Sequence, residues 1–366
     1  MNDFRKKQKI ENPQYFNSLK MFTSSVKKNR ASAVANTYCF EINKNHYTID
    51  TSCGKKRRNE LKGFLKDKRK NTILCTHYHN DHIANNWLIA KKNTAIIYHK
   101  NAKSKINWLR TNSTGQILKM YSTMDKKSVL SRLGFFNKKT AAFLAQSPLI
   151  SRFIIPPLLF IIAYIVSFKN TGFMFPKKRN ITWLDPEKKV KIDLNSITIE
   201  GWIIDKDFYA FETPGHTDCH ITFYNNEEKI LFCGDALNFL NPNDIQFGSI
   251  EKTFSTIDLI LNIAKDEDIK TLALGHYYPI TGKENIIKYI EEIKEKHEYV
   301  YGLVKSQAKI GGCHLHPEKI YKEVINLDDP LIAKLRRINF PVSTLVFLDV
   351  FVYKLLAEIK KEITGY

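Results

Sequence analysis

Thr76-His77-Tyr78-His79-Asn80-Asp81-His82 is the stretch on which the fold depends, because it places three imidazoles and one carboxylate within six consecutive positions. An apolar run at residues 73–75 leads directly into it and another lies at 47–50, and both predict short buried strands. Side chains at the end of a strand lie at the edge of a sheet, where water and a substrate can reach them. The loop therefore predicts a metal site, with a solvated polar turn as the alternative.

Three more polar residues each follow a short apolar run further along the chain. They are His216, Asp235 and His276, and a glycine stands immediately before each of them. Glycine permits the sharp turns and close backbone approach that a metal-binding loop needs. One such fragment would be a weak signal, but four loops in this order predict a common site.

With these residues in this order, the chain resembles the metallo-β-lactamase-fold hydrolases over roughly residues 30–100 and 181–300. The resemblance implies that one metal is held by His77, His79 and His216. It implies a second metal held by Asp81, His82 and His276, with Asp235 bridging the two. Asp50 matches the family's structural aspartate, which orients the ligands from behind the first loop.

Two local features refine the resemblance. The sequence of residues 213–220 most resembles the corresponding loop of the subgroup that contains the mitochondrial lactamase-like endoribonuclease. The loops of glyoxalase-II-type thioesterases and lactonases are similar. The family usually has glycines just after the first loop, where this chain has Ala84-Asn85-Asn86. Because of that departure, the sequence does not predict how the loop contacts the following helix. The prediction of the ligands is unaffected.

The ligand types indicate the chemistry. Imidazole and carboxylate suit zinc, which is the expected ion, with iron or manganese as alternatives. Two divalent metals about 3.5–4 Å apart can share a bridging water and lower its pKa towards about 7, so that the hydroxide attacks a carbonyl or phosphoryl centre. Asp81 is expected to accept a proton as well as to bind metal. Tyr277 and Tyr278 are candidate donors to the oxyanion, with plain packing roles as the alternative.

Composition bounds the setting of this site. A chain of 366 residues can form one large domain with additions. Six cysteines without CxxC spacing predict buried free thiols in a reducing compartment. Residues 1–30 contain no apolar signal segment, which predicts a cytoplasmic protein, with a peripheral position on the inner face of the membrane as an extension of that prediction.

The net charge of +20 is unevenly distributed. Residues 101–180 contain fourteen Lys or Arg and only Asp125 as an acid, which gives +13, and residues 1–30 carry +6. The rest of the chain is therefore nearly neutral. Any partner selected by charge should meet these two segments.

The segment 101–180 is also the main insertion between His82 and His216. It contains sixteen uncharged residues at 153–168, fewer than the roughly 20 of a spanning helix, with Pro156-Pro157 among them. The favoured interpretation is a contact with an anionic membrane surface that brings the site to lipid-like or acyl substrates. A lid or dimerisation arm is the second interpretation. A nucleic-acid arm is the third, and the long aliphatic run disfavours it.

The apolar pattern alone predicts a mixed α/β domain, and the resemblance implies a four-layer αβ/βα sandwich with the metals at one edge. The predicted organisation is a basic N-terminal arm at 1–30, for which a flexible tail is the safer interpretation, then a catalytic domain at 31–300 and a helical C-terminal region at 301–366. His314 and His316 are predicted to be ordinary surface or helix-start residues. The strands are predicted at residues 34–42, 46–50, 72–76, 94–98, 190–194, 197–204, 208–212, 220–224, 229–233 and 271–274.

Three functions remain open at this stage. The leading one is a two-metal hydrolase of an ester, thioester or lactone, including a lipid-linked one. A phosphodiesterase or ribonuclease of the same fold is the alternative among enzymes, and a non-hydrolytic metal-binding redox protein is the alternative outside hydrolysis. Metal loops of this kind are shared across these chemistries, so the sequence does not identify the substrate.

Overall fold

The structure is a computed structural model. It describes residues 13–16, 18–23, 34–66, 71–90, 94–106, 138–161, 180–238 and 248–310, together with residues 121, 126 and 130 and short pieces between 320 and 358. Several predictions fall outside these residues: those for residues 1–12 and 24–33, for most of 107–137, for 162–179, for His314 and His316, and for most of 343–366.

Two seven-stranded sheets form the body of the described chain. In the first sheet β1 to β4 run antiparallel and β4 to β7 run parallel. Its strands, in spatial order, are β1 (Gln14–Phe16), β2 (Leu19–Phe22), β3 (Thr37–Ile42), β4 (Asn45–Ile49), β5 (Asn71–Leu74), β6 (Ala95–His99) and β7 (Ile181–Leu184).

The second sheet is antiparallel except for one parallel pair, β12 with β13. All five residues of β11 and of β12 are buried, as expected for central strands covered on both faces. The strands of this sheet are β8 (Val190–Asp193), β9 (Thr198–Asp205), β10 (Phe208–Glu212), β11 (Ile221–Asn225), β12 (Ile230–Gly234), β13 (Thr271–Leu274) and β14 (Ile280–Thr281).

Helices cover the outer face of each sheet. The first turn of the helix Ile150–Ile161 is π-helical, over Ile150–Ile154. A two-stranded hairpin, β15 (Asn339–Phe340) with β16 (Val342–Ser343), lies after the helix Lys283–Ile310 in the chain. The helices are α1 (Lys55–Phe64), α2 (Asn80–Ile83), α3 (Asn86–Ile89), α4 (Lys138–Gln146), α5 (Ile150–Ile161), α6 (Ile250–Asp266) and α7 (Lys283–Ile310).

Three apolar clusters hold these layers together. The first lies between the sheets, where the Phe40 ring stacks on Phe232 at 5.0 Å and meets Phe208 edge-on at 5.5 Å. The second joins the second sheet to α6 and α7, and the third joins the first sheet to α1, α2 and α3. The order helix, sheet, sheet, helix confirms the predicted four-layer sandwich.

The N-terminal arm is only partly separate from this sandwich. β2 pairs with β3 along Lys20, Met21 and Phe22, so residues 14–22 belong to the first sheet and the interpretation as a flexible tail is wrong for them. Leu19, Met21 and Phe22 are buried, which explains the ordering. Both strands are short and lie among lysines and polar residues, so their periodicity was too weak to predict them.

Two edge strands and one boundary differ from the prediction. β7 (Ile181–Leu184) and β14 (Ile280–Thr281) are absent from the predicted strands, because two to four residues at a sheet edge carry almost no periodic signal. The boundary between residues 300 and 301 falls inside α7, which is continuous from Lys283 to Ile310 and ends before Gly311-Gly312. The predicted boundary therefore divides one helix, and the start of the C-terminal region stays a prediction.

A charged cluster links the two sheets beside the insertion. Nε2 of His99, at the end of β6, donates to Oε1 of Glu212 at 2.7 Å, and Nζ of Lys189 lies 2.8 Å from Oε2. The His99 hydrogen bond, with help from Lys189, lowers the pKa of Glu212 to about 2. Because this pKa is depressed in the folded state, Glu212 stabilises the fold above the ordinary carboxyl pKa of about 4.3, and the stabilisation is lost as the pH falls through about 2.

We expect Glu212→Gln to lower the free energy of unfolding at neutral pH by about 1–3 kcal/mol, because it removes a charged acceptor from a half-buried cluster. The difference from wild type should shrink steadily as the pH falls below about 4. Denaturant unfolding across a pH series measures both. Glu200→Gln, which changes a more exposed partner of Lys189, should cost less than about 0.5 kcal/mol. A Glu212→Gln deficit that stays constant down to acid pH would contradict the assignment.

Candidate metal centre

Every predicted ligand lies just beyond the carboxyl end of a strand. His77, His79, Asp81 and His82 follow β5, and His216 follows β10. Asp235 comes directly after β12, and His276 comes two residues after the end of β13. β12 and β13 are parallel, so Asp235 and His276 emerge at the same edge of the second sheet. The structure brings all seven side chains together. Their candidate ligand atoms form three overlapping trios, in each of which the atoms lie within 4.8 Å of one another: His77, His79 and His216; His77, His82 and Asp235; and Asp81, His82 and His276. The first trio is called the first group below, and the last is called the second group.

The first group consists of three histidines. Nε2 of His216 lies 3.2 Å from Nε2 of His77 and 2.8 Å from Nδ1 of His79. His77 and His216 are buried, and the three rings meet edge to face. Three ring nitrogens from two loops therefore converge on one point.

The second group combines carboxylates with histidines. Nε2 of His276 lies 3.3 Å from Oδ2 of Asp81 and 3.3 Å from Oδ2 of Asp235. Nε2 of His82 lies 3.4 Å from Oδ1 of Asp235 and 3.8 Å from Oδ2 of Asp81. Because Oδ2 of Asp235 is also 3.6 Å from Nε2 of His216, this one carboxylate stands between both groups.

The donor set fits two divalent metal ions. Nδ1 of His77 is held by Oγ1 of Thr76 at 3.1 Å, and Nδ1 of His82 is held by Oδ2 of Asp50 at 2.7 Å. With those nitrogens engaged from behind, Nε2 of each ring faces the converging groups. Imidazoles fixed in this way by an outer partner are the usual ligands of zinc and related ions.

The two groups differ in charge. Burial lowers the pKa of His79 to about 4 and also holds the pKa values of His77 and His216 below their ordinary range, so these rings are neutral, as metal ligands are. Burial opposes the charged form of His276, but Asp235 and Asp81 outweigh it and raise its pKa to about 10. Negative charge is therefore concentrated in the second group, where it favours a cation.

Asp50 lies behind the first loop, at the position that the resemblance implies. Its Oδ1 accepts the backbone N–H of Thr76 at 2.9 Å, and its Oδ2 accepts Oγ1 of Thr76 at 2.7 Å in addition to the bond from His82. The backbone N–H groups of Thr51 and Ser52 both donate to the carbonyl of His82 at 2.8 Å. His82 is thus fixed at its ring and at its backbone by one short segment.

The asparagines that replace the family's glycines form the contact that the sequence left open. Nδ2 of Asn86 donates to the hydroxyl of Tyr98 at 2.6 Å, and its Oδ1 accepts from Oγ1 of Thr51. Nδ2 of Asn85 donates to the carbonyl of Thr51 at 3.2 Å. Both asparagines are fully buried, so their side chains tie the start of α3 to the segment that holds His82.

Two of the glycines are required by the crowding around them. Gly234 has a φ of +45°, and a Cβ there would lie 2.7 Å from Oγ1 of Thr76 and 2.9 Å from Nε2 of His220. Gly215 has a φ of +147°, and a Cβ would meet Thr253 of α6 at 2.6–2.9 Å. A side chain at either position would displace the loop that carries the adjacent ligand.

Tyr277 and Tyr278 turn towards different clusters. The ring of Tyr277 packs against the cluster under α6 and α7, and burial together with the charge of Asp235 raises the pKa of its phenol. The hydroxyl of Tyr278 accepts a hydrogen bond from Gln14 at 3.4 Å, and its ring contacts Phe16 at the border of the core between the sheets. The oxyanion role stays a prediction for both, and Tyr277 is the one whose phenol is coupled to Asp235.

Sequence reasoning missed the part played by His220. Its Nε2 accepts the backbone N–H of Asp235 at 3.2 Å, so in the neutral ring Nδ1 carries the proton and donates to Oγ1 of Thr213 at 2.8 Å. Burial lowers the pKa of His220 to about 3, which keeps it neutral. The ring also stacks on His77 at 5.2 Å. His220 therefore positions the residue that stands between the two groups, although nothing in its spacing distinguishes it from a packing residue.

A second missed contact joins the insertion to the site. Nζ of Lys105, just inside the insertion, forms an ion pair with both carboxylate oxygens of Asp218. The Lys105 side chain is almost fully buried, and Asp218 lies two residues after His216. The start of the insertion is thus fixed to the loop that carries a first-group histidine.

We expect His220→Ala to weaken metal binding by about 10–100-fold, because the backbone of Asp235 loses its acceptor. His220→Gln should recover part of the loss, since its amide oxygen can accept the same N–H. Competition with a chromophoric chelator measures the affinity. His297→Ala is the control, because it removes another buried histidine that bonds within α7; an equal loss of affinity there would show a general effect of destabilisation.

The comparisons with known proteins agree with this geometry. The profile of the Metallo-beta-lactamase superfamily matches residues 33–115 and 165–276, which together make up more than half of the chain. The chain is 27% identical to a hydroxyacylglutathione hydrolase from Buchnera aphidicola over 135 residues, covering 33% of this chain and 51% of that protein. It is 32% identical to one from Pseudomonas fluorescens over 82 residues, covering 22% and 30%. The chain thus spans about half the length, or less, of the curated relatives that it matches.

Solved structures show the same fold at low identity. A double mutant of a sec-alkyl sulfatase superposes with a TM-score of 0.55 and 14% identity, covering 96% of this chain and 50% of that one. A stereoselective inverting sec-alkylsulfatase from Pseudomonas sp. superposes with a TM-score of 0.50 and 13% identity, covering 91% and 48%. Together with the profile match and the convergence of the seven side chains at one edge of the sandwich, this shows that the chain belongs to the metallo-beta-lactamase superfamily.

Proposed function

We propose that this protein is a two-metal hydrolase that acts on an ester or thioester carbonyl. The observation that carries the proposal is the position of Asp235 between a group of three histidines and a group of Asp81, His82 and His276. Two adjoining cation sites that share one carboxylate suit hydrolysis by an activated water.

The side chains divide the work. His77, His79 and His216 would hold one metal, Asp81, His82 and His276 the other, and Asp235 both. Bound divalent ions in such a site supply an activated water and polarise the oxygen of the substrate. Zinc suits these donors, with iron or manganese as alternatives.

Asp81 is suited to proton transfer because its side chain is more open to solvent than those of His276 and Asp235. Its side chain is 38% exposed, against 15% for His276 and 6% for Asp235. A substrate would therefore approach from the side of Asp81. This carboxylate can accept a proton there and pass it to solvent or to the leaving group.

The thioester preference is supported by the curated relatives, whose names state that they hydrolyse hydroxyacylglutathione, an acyl thioester. The phosphodiesterase or ribonuclease alternative is supported by the +13 charge of residues 101–180. The alternative outside hydrolysis is a metal-binding redox protein, which would use the same ligands without attacking a carbonyl group. A lactone or a lipid-linked acyl group remains within the proposed class.

A substrate panel tests the class. We expect purified protein to hydrolyse acyl thioesters, including hydroxyacylglutathione, and nitrophenyl esters or lactones more slowly. A chelator should abolish the turnover and added zinc should restore it. Cleavage of bis-nitrophenyl phosphate or single-stranded RNA without thioester turnover would favour the alternative. Metal-loaded protein that hydrolyses nothing in the panel would contradict a hydrolytic role.

We expect His79→Ala to lower kcat/KM by at least about a hundredfold, because it removes a ring nitrogen of the first group. Metal content measured by elemental analysis should fall in parallel. His46→Ala is the matched control, since His46 lies on β4 beside Glu41 and outside the site, and it should retain full activity. Full turnover by His79→Ala would overturn the metal mechanism.

A further inference from the structure

The described part of the insertion carries an unusual concentration of exposed apolar side chains. Within the described residues nine large apolar side chains are exposed, and five of them lie between residues 143 and 161. Isolated exposed hydrophobic residues are normal, whereas a cluster indicates a contact surface. The five, with their exposed fractions, are Phe143 (65%), Leu149 (70%), Phe153 (64%), Ile154 (56%) and Ile161 (53%).

The spacing along α5 separates two faces. Ser151, Ile155 and Leu159 are buried at intervals of four residues, and they form the inner face. The residues at 149, 153, 157 and 161 are exposed at the same interval, and each of them is apolar. A surface helix of a globular protein normally has charged or polar residues on its outer face. The outer face of α5 is therefore apolar, although a helix face in contact with water alone would be expected to carry charged or polar side chains.

The inner face is already held by protein. The hydroxyl of Tyr121 donates to the carbonyl of Ser151 at 2.9 Å, and Nζ of Lys126 lies 3.5 Å from Oγ of Ser151. Turning the helix to hide the outer face would break these bonds and expose Ile155 and Leu159. The apolar stripe is thus a stable feature of the surface.

Within the described part of the chain, no helix is by itself long and apolar enough to cross a membrane. α4 from Lys139 onward and α5 are bent by 100° relative to each other, and as a pair they meet the length and composition of a span.

Exposed basic residues accompany the stripe in the described segment. Lys139 and Arg152 are exposed, and the Arg152 guanidinium lies 5.6 Å from the centre of the Phe153 ring. Residues 138–161 contain no acidic residue, and the whole insertion has fourteen basic residues against one acid. A partner must therefore combine an apolar interior with a negative surface.

We propose that residues 138–161 form a docking surface for membranes that contain anionic phospholipids. The acyl region receives Phe153, Leu149 and Ile161, and the head groups pair with Arg152 and Lys139. A second copy of the chain would bring two strongly basic segments together. A nucleic acid would meet the charge but offer nothing to Leu149, Ile154 and Ile161. The proposal goes beyond the hydrolytic function and does not depend on it.

Vesicle flotation with the full chain tests the proposal, and no substrate is needed. The protein should float with vesicles of phosphatidylcholine and phosphatidylglycerol, bind those of phosphatidylcholine alone more weakly, and lose binding as salt rises. Phe153→Gln should weaken binding by about tenfold or more, because one aromatic side chain no longer enters the apolar phase. Ile203→Gln, at a position that is 62% exposed on β9, should leave binding unchanged.

A tryptophan probe supplies a second readout that does not depend on the loss of a side chain. Emission from Phe153→Trp should shift to shorter wavelength on anionic vesicles and be quenched by brominated acyl chains, while Ile203→Trp should show neither change. The proposal is overturned if wild-type protein does not bind anionic vesicles, or if both probes respond alike. It is also overturned if Phe153→Gln instead abolishes a dimer or RNA binding without affecting vesicle binding.

Discussion

The carboxylate of Asp50 is the constraint on which the site depends. It accepts three hydrogen bonds, two from Thr76 and one from the ring of His82. Thr76 in turn holds the ring of His77, so one buried carboxylate fixes a histidine of the first group and a histidine of the second. The centres of the His77 and His82 rings are 4.1 Å apart. The hydrogen bonds from Asp50 and Thr76 therefore hold both rings close together.

The sandwich places the residues held by Asp50 opposite ligands that come from the second sheet. Asp50, Thr76 and His82 follow strands of the first sheet, whereas His216, Asp235 and His276 follow strands of the second. The distance between these sets is fixed by the core between the sheets, in which the Phe40 and Phe232 rings stack. The backbone N–H of Asn36 also donates to the carbonyl of Gly275 at 2.6 Å, which joins the sheets directly beside His276. The packing of this core therefore helps to set the distance between the two sets of side chains.

The features of the fold and of the candidate site that can be predicted from the sequence are those encoded in short, continuous segments. The ligand loops follow apolar runs and contain glycine or several histidines in a few positions, so His77 to His82, His216, Asp235 and His276 were recognisable. The central strands were predictable for the same reason, because an apolar run of four to eight residues is a local signal. His220 and the pair of Lys105 with Asp218 were not, since their roles arise from contacts between distant segments. Lys105 and Asp218 are 113 positions apart, and neither residue alone differs from an ordinary surface charge.

The ion pair of Lys105 with Asp218 connects the candidate metal centre to the insertion. The candidate metal-binding groups lie in the nearly neutral body, whereas the insertion carries most of the net basic charge and five of the nine exposed large apolar side chains among the described residues. Lys105 joins the two through Asp218, whose neighbour His216 belongs to the first group only. The second group is held instead by Asp50 and by the strand end at Gly275. A displacement of the insertion would therefore reach the site first through Asp218 and His216, in the three-histidine group.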